Sequence, residues 1–240
     1  MPSNSTIKVD DTLAWIAGFI VQRTTKGVGG TTGEPGLTSA NMIYQTILGP
    51  QFTWMWNRAT TSITCIAGTT DYVKTLTDFG HLEKAWGVLA SNTPPNFELE
   101  IAEMLGVDGK NNRPQKIAAV TDDNANSITF RVFPPPDKAY VITVAYQKAA
   151  ALMSATSSTW APIPDKFAYV YERGLKAMMH GMYNVELYLS EMNLFLKQLV
   201  GLAEGLSEAE KAIFLEDRMR IARMSAGEMT NMELGRRTRT

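Results

Sequence analysis

The sequence contains a single cysteine, Cys65. No intrachain disulfide can form, so a disulfide-stapled scaffold is excluded. The thiol reads as a small core hydrophobe. Histidine is equally scarce: His81 and His180 are the two in the chain, and neither has a partner at metal-ligand spacing. Charge of one sign is not in excess. Lys and Arg total 23 against 24 Asp and Glu, a formal net charge of −1. A protein that grips nucleic acid through its phosphates is normally clearly basic, so bulk electrostatic DNA binding is not expected. Long apolar runs are missing too. The run over residues 13–21 is broken by Gly18 and falls far short of the roughly 20 residues a membrane span needs. Asp10 and Asp11 precede it where a signal peptide would carry basic residues, so no signal peptide is expected.

What is present is an ordinary globular composition, 45% hydrophobic and 20% charged over 240 residues. That length allows one large domain or two small ones. Four zones differ in texture. Residues 1–37 hold a first helix, capped by Asp10 or Asp11 and closing at Arg23, then a glycine-rich loop with Gly27, Gly29, Gly30 and Gly33. A second helix is expected to start near Thr38 or Ser39, with Ile43, Ile47 and Trp54 at helical spacing and a kink or break at Pro50. Residues 61–150 change period. Segments 62–66, 72–73, 127–133 and 140–146 read as strands with one buried face, and 82–89, 97–101 and 116–120 are weaker candidates. Turns are expected at 108–112 and 122–126. Six or seven short strands suggest a small antiparallel sandwich or barrel.

Helical spacing returns over 162–223. Asp165 is a candidate cap, and an apolar stripe runs from Phe167 through Met178, Met182 and Met192 to Leu199, as one long helix or two joined near Asn184. Ser207 with Glu210 forms a capping box for a further helix. That helix carries Ala212, Ile213, Phe214, Met219 and Ile221, and Arg218, Arg220 and Arg223 lie at its C-terminal end, which suits the dipole. From Gly227 onward large apolar residues are few, and a loosely ordered tail is expected. The expected class is α+β: a helical bundle from 38–60 and 162–223, an inserted β domain at 61–150, and an extended C-terminal tail at 224–240.

A search for chemistry finds little. The glycine loop lacks the Gly-Lys-Ser/Thr ending of a phosphate loop and follows a helix, where a strand is required. Asp108, Lys110 and Asn112 do not complete a calcium loop. Asp122-Asp123 reads as a solvated turn, and Glu98, Glu100 and Glu103 as the wet face of a strand. No catalytic residue, cofactor site or metal site is expected. Trp54 and Trp56 read as packing residues. A carbohydrate-binding or hydrolytic β domain, using Trp86 or Trp160, is the competing reading from another class.

The ordered motifs carry a likeness. They are Trp54-Met55-Trp56-Asn57-Arg58, Ala67-Gly68-Thr69-Thr70-Asp71-Tyr72, Asp78-Phe79-Gly80-His81, Arg113-Pro114-Gln115-Lys116, Phe133-Pro134-Pro135-Pro136-Asp137-Lys138-Ala139-Tyr140 and Pro162-Ile163-Pro164-Asp165. Over residues 38–200 the chain resembles the head-to-tail adaptor (connector) proteins of tailed bacteriophages, including the tail-tube adaptor type of short-tailed phages. The resemblance implies helices from both chain ends packed together around an inserted β domain. It implies a virion structural protein of the neck, made in the host cytoplasm, that joins the portal protein to a downstream nozzle or tube protein as a dodecameric ring. Double-stranded DNA would pass through without sequence-specific binding, and no membrane is involved. A tail-completion or other neck protein is the alternative within the virion. On this reading Met229, Met232, Leu234, Arg236, Arg237 and Arg239 dock the tail on the portal, and Met178, Met182 and Met192 pack between subunits.

Overall fold

A computed structural model describes residues 5–19, 36–50, 52–90, 96–103, 105–106, 109–122, 127–181, 184–203 and 205–237. The fold is mixed α+β, and the chain divides into two compact units. One joins Met1–Phe52 to Leu152–Thr240, and the other is Thr53–Ala151. Among the described residues no helix is long and apolar enough to cross a membrane.

Among the described residues the first unit holds five helices: α1 (Val9–Phe19), α2 (Gly36–Ile47), α3 (Ala168–His180), α4 (Val185–Leu202) and α5 (Glu208–Arg237). At the start of α1 the Asp10 carboxylate accepts from the Asp11 N–H at 3.0 Å, and a distant loop does the rest. The Val9 and Asp10 N–H groups donate to the carbonyls of Ser158 and Thr156, and Trp160 N–H donates to Ile7. A distant loop therefore satisfies donors that a cap would otherwise have to meet. Asp11 lies one turn in and reaches back to the Lys8 N–H at 3.3 Å. Helix α2 ends at Ile47, ahead of Pro50. Trp54, expected at helical spacing, is instead extended (φ −113°, ψ 123°) and leads into a 3₁₀ turn at Met55–Asn57.

Tyr44 of α2 donates to the Ala161 carbonyl at 2.6 Å, and Asn41 clamps Met153 through both its N–H and its carbonyl. Helices α2 and α4 approach α3 closely at Gly174. A Cβ there would lie 2.9 Å from both Ile43 and Phe195. Trp160 is fully buried, stacks on Tyr171 with ring centroids 4.3 Å apart, and donates its indole N–H to Thr12. The apolar stripe after Asp165 is two helices, and Asn184 caps the second by accepting from Leu187 N–H at 3.1 Å. The Ser207–Glu210 capping box forms as expected, each residue bonding the other's backbone N–H.

Helix α5 then runs on to Arg237, so residues 224–237 are helical where an extended tail was expected. No proline stops the helix, and the two glycines Gly227 and Gly235 each cost only about 1 kcal/mol. Arg218, Arg220 and Arg223 consequently sit mid-helix, not at a helix end as the dipole argument supposed.

The second unit is a seven-stranded, nearly closed sheet. Its strands are β1 (Arg58–Thr64), β2 (Asp71–Thr75), β3 (Phe79–Leu89), β4 (Phe97–Ile101), β5 (Lys116–Asp122), β6 (Ser127–Phe133) and β7 (Tyr140–Lys148). The spatial order is β1-β7-β3-β4-β5-β6-β2. Alternation does the work anticipated: in β6, Ile128, Phe130 and Val132 are buried while their neighbours stay half-exposed. They meet Ile63, Leu99, Ile117, Ile142 and Val144 in one core. One pairing departs from the antiparallel expectation. Strands β4 and β5 run parallel, over Glu100–Lys116 and Ile101–Ile117.

Two of the motifs read in sequence meet here. Gly68 takes a positive φ of 76°, and its N–H donates to the Pro136 carbonyl. Tyr72 closes the same turn by donating to the Thr69 carbonyl at 2.6 Å, and Tyr140 donates to Asp137 at 2.7 Å.

Candidate interface

Helix α5 is long, polar on average, and packs on α4. Phe214 anchors it. Its ring meets Phe52 edge-on at 5.0 Å, and the Arg218 guanidinium lies over the same ring at 5.4 Å. Beyond that anchor several apolar side chains stay in solvent: Ile213 is 62% exposed, Ile221 51% and Met224 66%. On α2, Met42 is 50% exposed.

Of these, Met42 and Ile221 border an apolar groove of about 340 Å³ between α2, α3, α4 and α5. Met178 and Met192 share its wall with Met42 and Ile221, over Tyr188 and Phe195. Met178 is half-buried and Met192 is buried. Met182, the third methionine expected to pack between subunits, lies outside the described residues. Nearby, Glu191 is held by Lys176 at 2.9 Å, and burial together with the Lys176 charge pulls the His180 pKa below its ordinary value.

Of the expected docking residues, Met229, Met232, Leu234, Arg236 and Arg237 all fall on α5. Met229, Met232 and Arg236 follow at steps of three and four residues. Arg239 lies outside the described residues.

The residues weighed for chemistry are dispersed or engaged. Burial pushes the Cys65 thiol up to about 11, far from a reactive thiolate at neutral pH. Trp160, entered as a sugar-stacking candidate, is enclosed in the helical core. Glu98 and Glu100 are exposed on either side of buried Leu99, the wet strand face expected. Asp71 is held below the usual carboxylate range by two hydrogen bonds from Arg131. Burial raises Glu83, but hydrogen bonds from Arg58 and Gln147 outweigh it and the net shift is downward. Among the described residues no three His, Cys, Asp or Glu side chains converge to hold a metal. The glycine loop over 27–33 and residues 123–126 lie outside the described residues, as does Asp108.

Comparison with known families bears on what these surfaces belong to. Residues 37–230 match the SU10 adaptor protein family. The chain belongs to that family. It is therefore a phage adaptor, a structural protein of the head-to-tail junction. No curated protein matches the sequence. The SU10 adaptor match takes in the β unit and helices α2 to α4 around the groove, and ends within α5. Met229 is the one expected docking residue inside it. Met42, Ile221 and Met224 were missed in the sequence because periodicity reports that a face is apolar, not whether anything covers it.

Proposed function

We propose that this adaptor works as a closed ring of identical copies, dodecameric by its resemblance, set between the portal and the next tail protein with the genome passing through its centre. The observation that carries the reading is an apolar groove with exposed Met42 and Ile221 on a chain of a structural adaptor family. A closed ring needs a heterologous contact, in which one patch of each copy meets a different patch of the next. The groove supplies one such patch, with Met178 and Met192 as adaptable packing residues and Met182 placed by sequence beside them. The near-zero net charge suits a channel that lets DNA slide, since a strongly basic wall would hold it.

The C-terminal end of α5 is the portal-docking element in this reading. Met229, Met232 and Leu234 supply apolar contact, and Arg236, Arg237 and Arg239 supply charge for acidic portal surface. The test is deletion of residues 227–240 followed by native mass measurement with purified portal. The full chain is expected to join the portal ring and the truncated chain to stay free. Equal capture of both would end the docking assignment, and a full chain that never joins a portal would end the adaptor-ring reading itself.

A further inference from the structure

Helix α4 has apolar side chains on two faces. Tyr188, Met192, Phe195 and Leu196 are buried and form its wall of the helical groove. At about 100° of turn per residue, Leu187 and Leu194 fall roughly on the opposite side of the helix. Leu187 is 46% exposed and Leu194 42%. Ser190, Lys197 and Gly201 are exposed on that same side, so the two leucines are the apolar knobs of an otherwise polar ridge. Seven residues separate them, two turns of helix or about 10.5 Å along the axis.

The groove on the other face matches that ridge in length and chemistry. Its α5 wall runs from Arg218 through Ile221 and Ala222 to Ser225, again seven residues and about 10.5 Å. Its volume of about 340 Å³ is several times the roughly 30 Å³ that one water takes up in the liquid, so whole aliphatic side chains fit. Among the described residues Arg218 is the one charged group in the lining, and its guanidinium is already engaged over the Phe214 ring. The rest of the lining asks for an apolar occupant.

We propose that the α4 ridge of one copy seats in the groove of the next copy, with Leu187 and Leu194 as the two side chains that enter it. This rests on the ring reading and supplies the second patch that a heterologous contact needs. Copies joined head to tail must each carry two different surfaces that face apart. One helix meets that condition here: α4 offers its ridge to one neighbour and its groove wall to the other. An isologous contact would bring the same surface of two copies together and stop at a dimer. The direction of docking follows from the same geometry. Neighbours in a ring of many copies differ by a small rotation, so the incoming α4 runs nearly parallel to the α4 already in place. The short connection over 203–207 makes α4 and α5 of one chain antiparallel. Leu187 of the incoming copy therefore arrives at the Ser225 end of the groove and Leu194 at the Arg218 end.

The test is disulfide trapping in the full chain, assembled alone or on purified portal. The native Cys65 is buried, so it gives no background crosslink. The double variant Leu187→Cys with Ser225→Cys is expected to form, under mild oxidation, a ladder of covalent dimers, trimers and larger species on a non-reducing gel. Each single variant should stay monomeric on that gel, and Leu194→Cys with Ser225→Cys should crosslink at least tenfold less. A double variant that assembles by native mass yet gives no ladder overturns the proposal and leaves the ring reading standing. Dimers from either single variant overturn it too, because the contact would then be isologous. Wild-type protein that stays a single copy both alone and with portal ends the ring reading, and this contact with it. As a second variant, Leu194→Glu is expected to melt like wild type while raising the concentration needed for assembly tenfold or more. Unchanged assembly of Leu194→Glu would remove the ridge from the interface.

Discussion

Asp165 was chosen from sequence as a helix cap, and it does something else. Helix α3 begins at Ala168 after a 3₁₀ turn, and the Asp165 carboxylate instead ties down the N-terminal segment. It accepts from Ser5 Oγ at 2.7 Å, from Thr6 N–H at 3.0 Å and from Thr6 Oγ1 at 2.9 Å. Those bonds from Ser5 and Thr6 hold its pKa below the usual carboxylate range. A carboxyl whose folded pKa is depressed stabilises the fold above its unfolded pKa, and that contribution is lost as pH falls through the folded value. The tether should therefore be intact at neutral pH and release below the ordinary aspartate range. Asp71, Asp78 and Glu83 are depressed as well, so a local probe is needed. An NMR titration is expected to show the Thr6 amide moving upfield on acidification, with Asp165→Asn holding one pH-independent position. A Thr6 amide insensitive to pH in the wild type would refute this role.

At the scale of elements, what starts and stops a helix was partly local. The Ser207–Glu210 box and the Asn184 cap lie within three residues of the groups they satisfy, so sequence displays them directly. Helix α1 is begun by carbonyls about 150 positions away. Those partners have no local signature; sequence displays only Asp10 and Asp11, whose carboxylates accept from the Asp11 and Lys8 N–H groups. For α5, Ser207→Ala is expected to cost about 1 kcal/mol of helix stability. Faster amide exchange in the first turn of α5, with α3 unaffected, is the measurement. Unchanged exchange there would mean that packing of Phe214, and not the cap, fixes where the helix begins.

At the scale of the whole molecule, the proposed ring depends on surface that folding leaves uncovered. Ile221 is half-exposed on the rim of the helical groove, so Ile221→Asp should leave the monomer's stability within about 0.5 kcal/mol. The same charge, buried against a neighbouring copy, would lack a partner and cost several kcal/mol. The variant is thus expected to melt like wild type yet stay monomeric under conditions where wild type assembles, read by native mass or light scattering. Assembly at wild-type concentration would remove this groove from the ring interface. Met178 and Met192 were singled out from sequence and do line the groove; Met42, on the other helical segment of the chain, joins them only through the fold.

Strand periods and the capping box belong to the sequence alone, because each is set by neighbours within one turn or one strand, whereas the choice between one long helix and two at Asn184 was left to the structure. The seven strands were legible for the same reason: a period of two records which face is buried. The order in which those strands pair and the parallel β4–β5 contact arise from pairings between distant segments, for which a single strand carries no mark. The exposed apolar face of α5 was decided in the same way. An amphipathic pattern states that a helix has something to bury, and only the packed chain determines whether its own residues cover that face or leave it to another molecule.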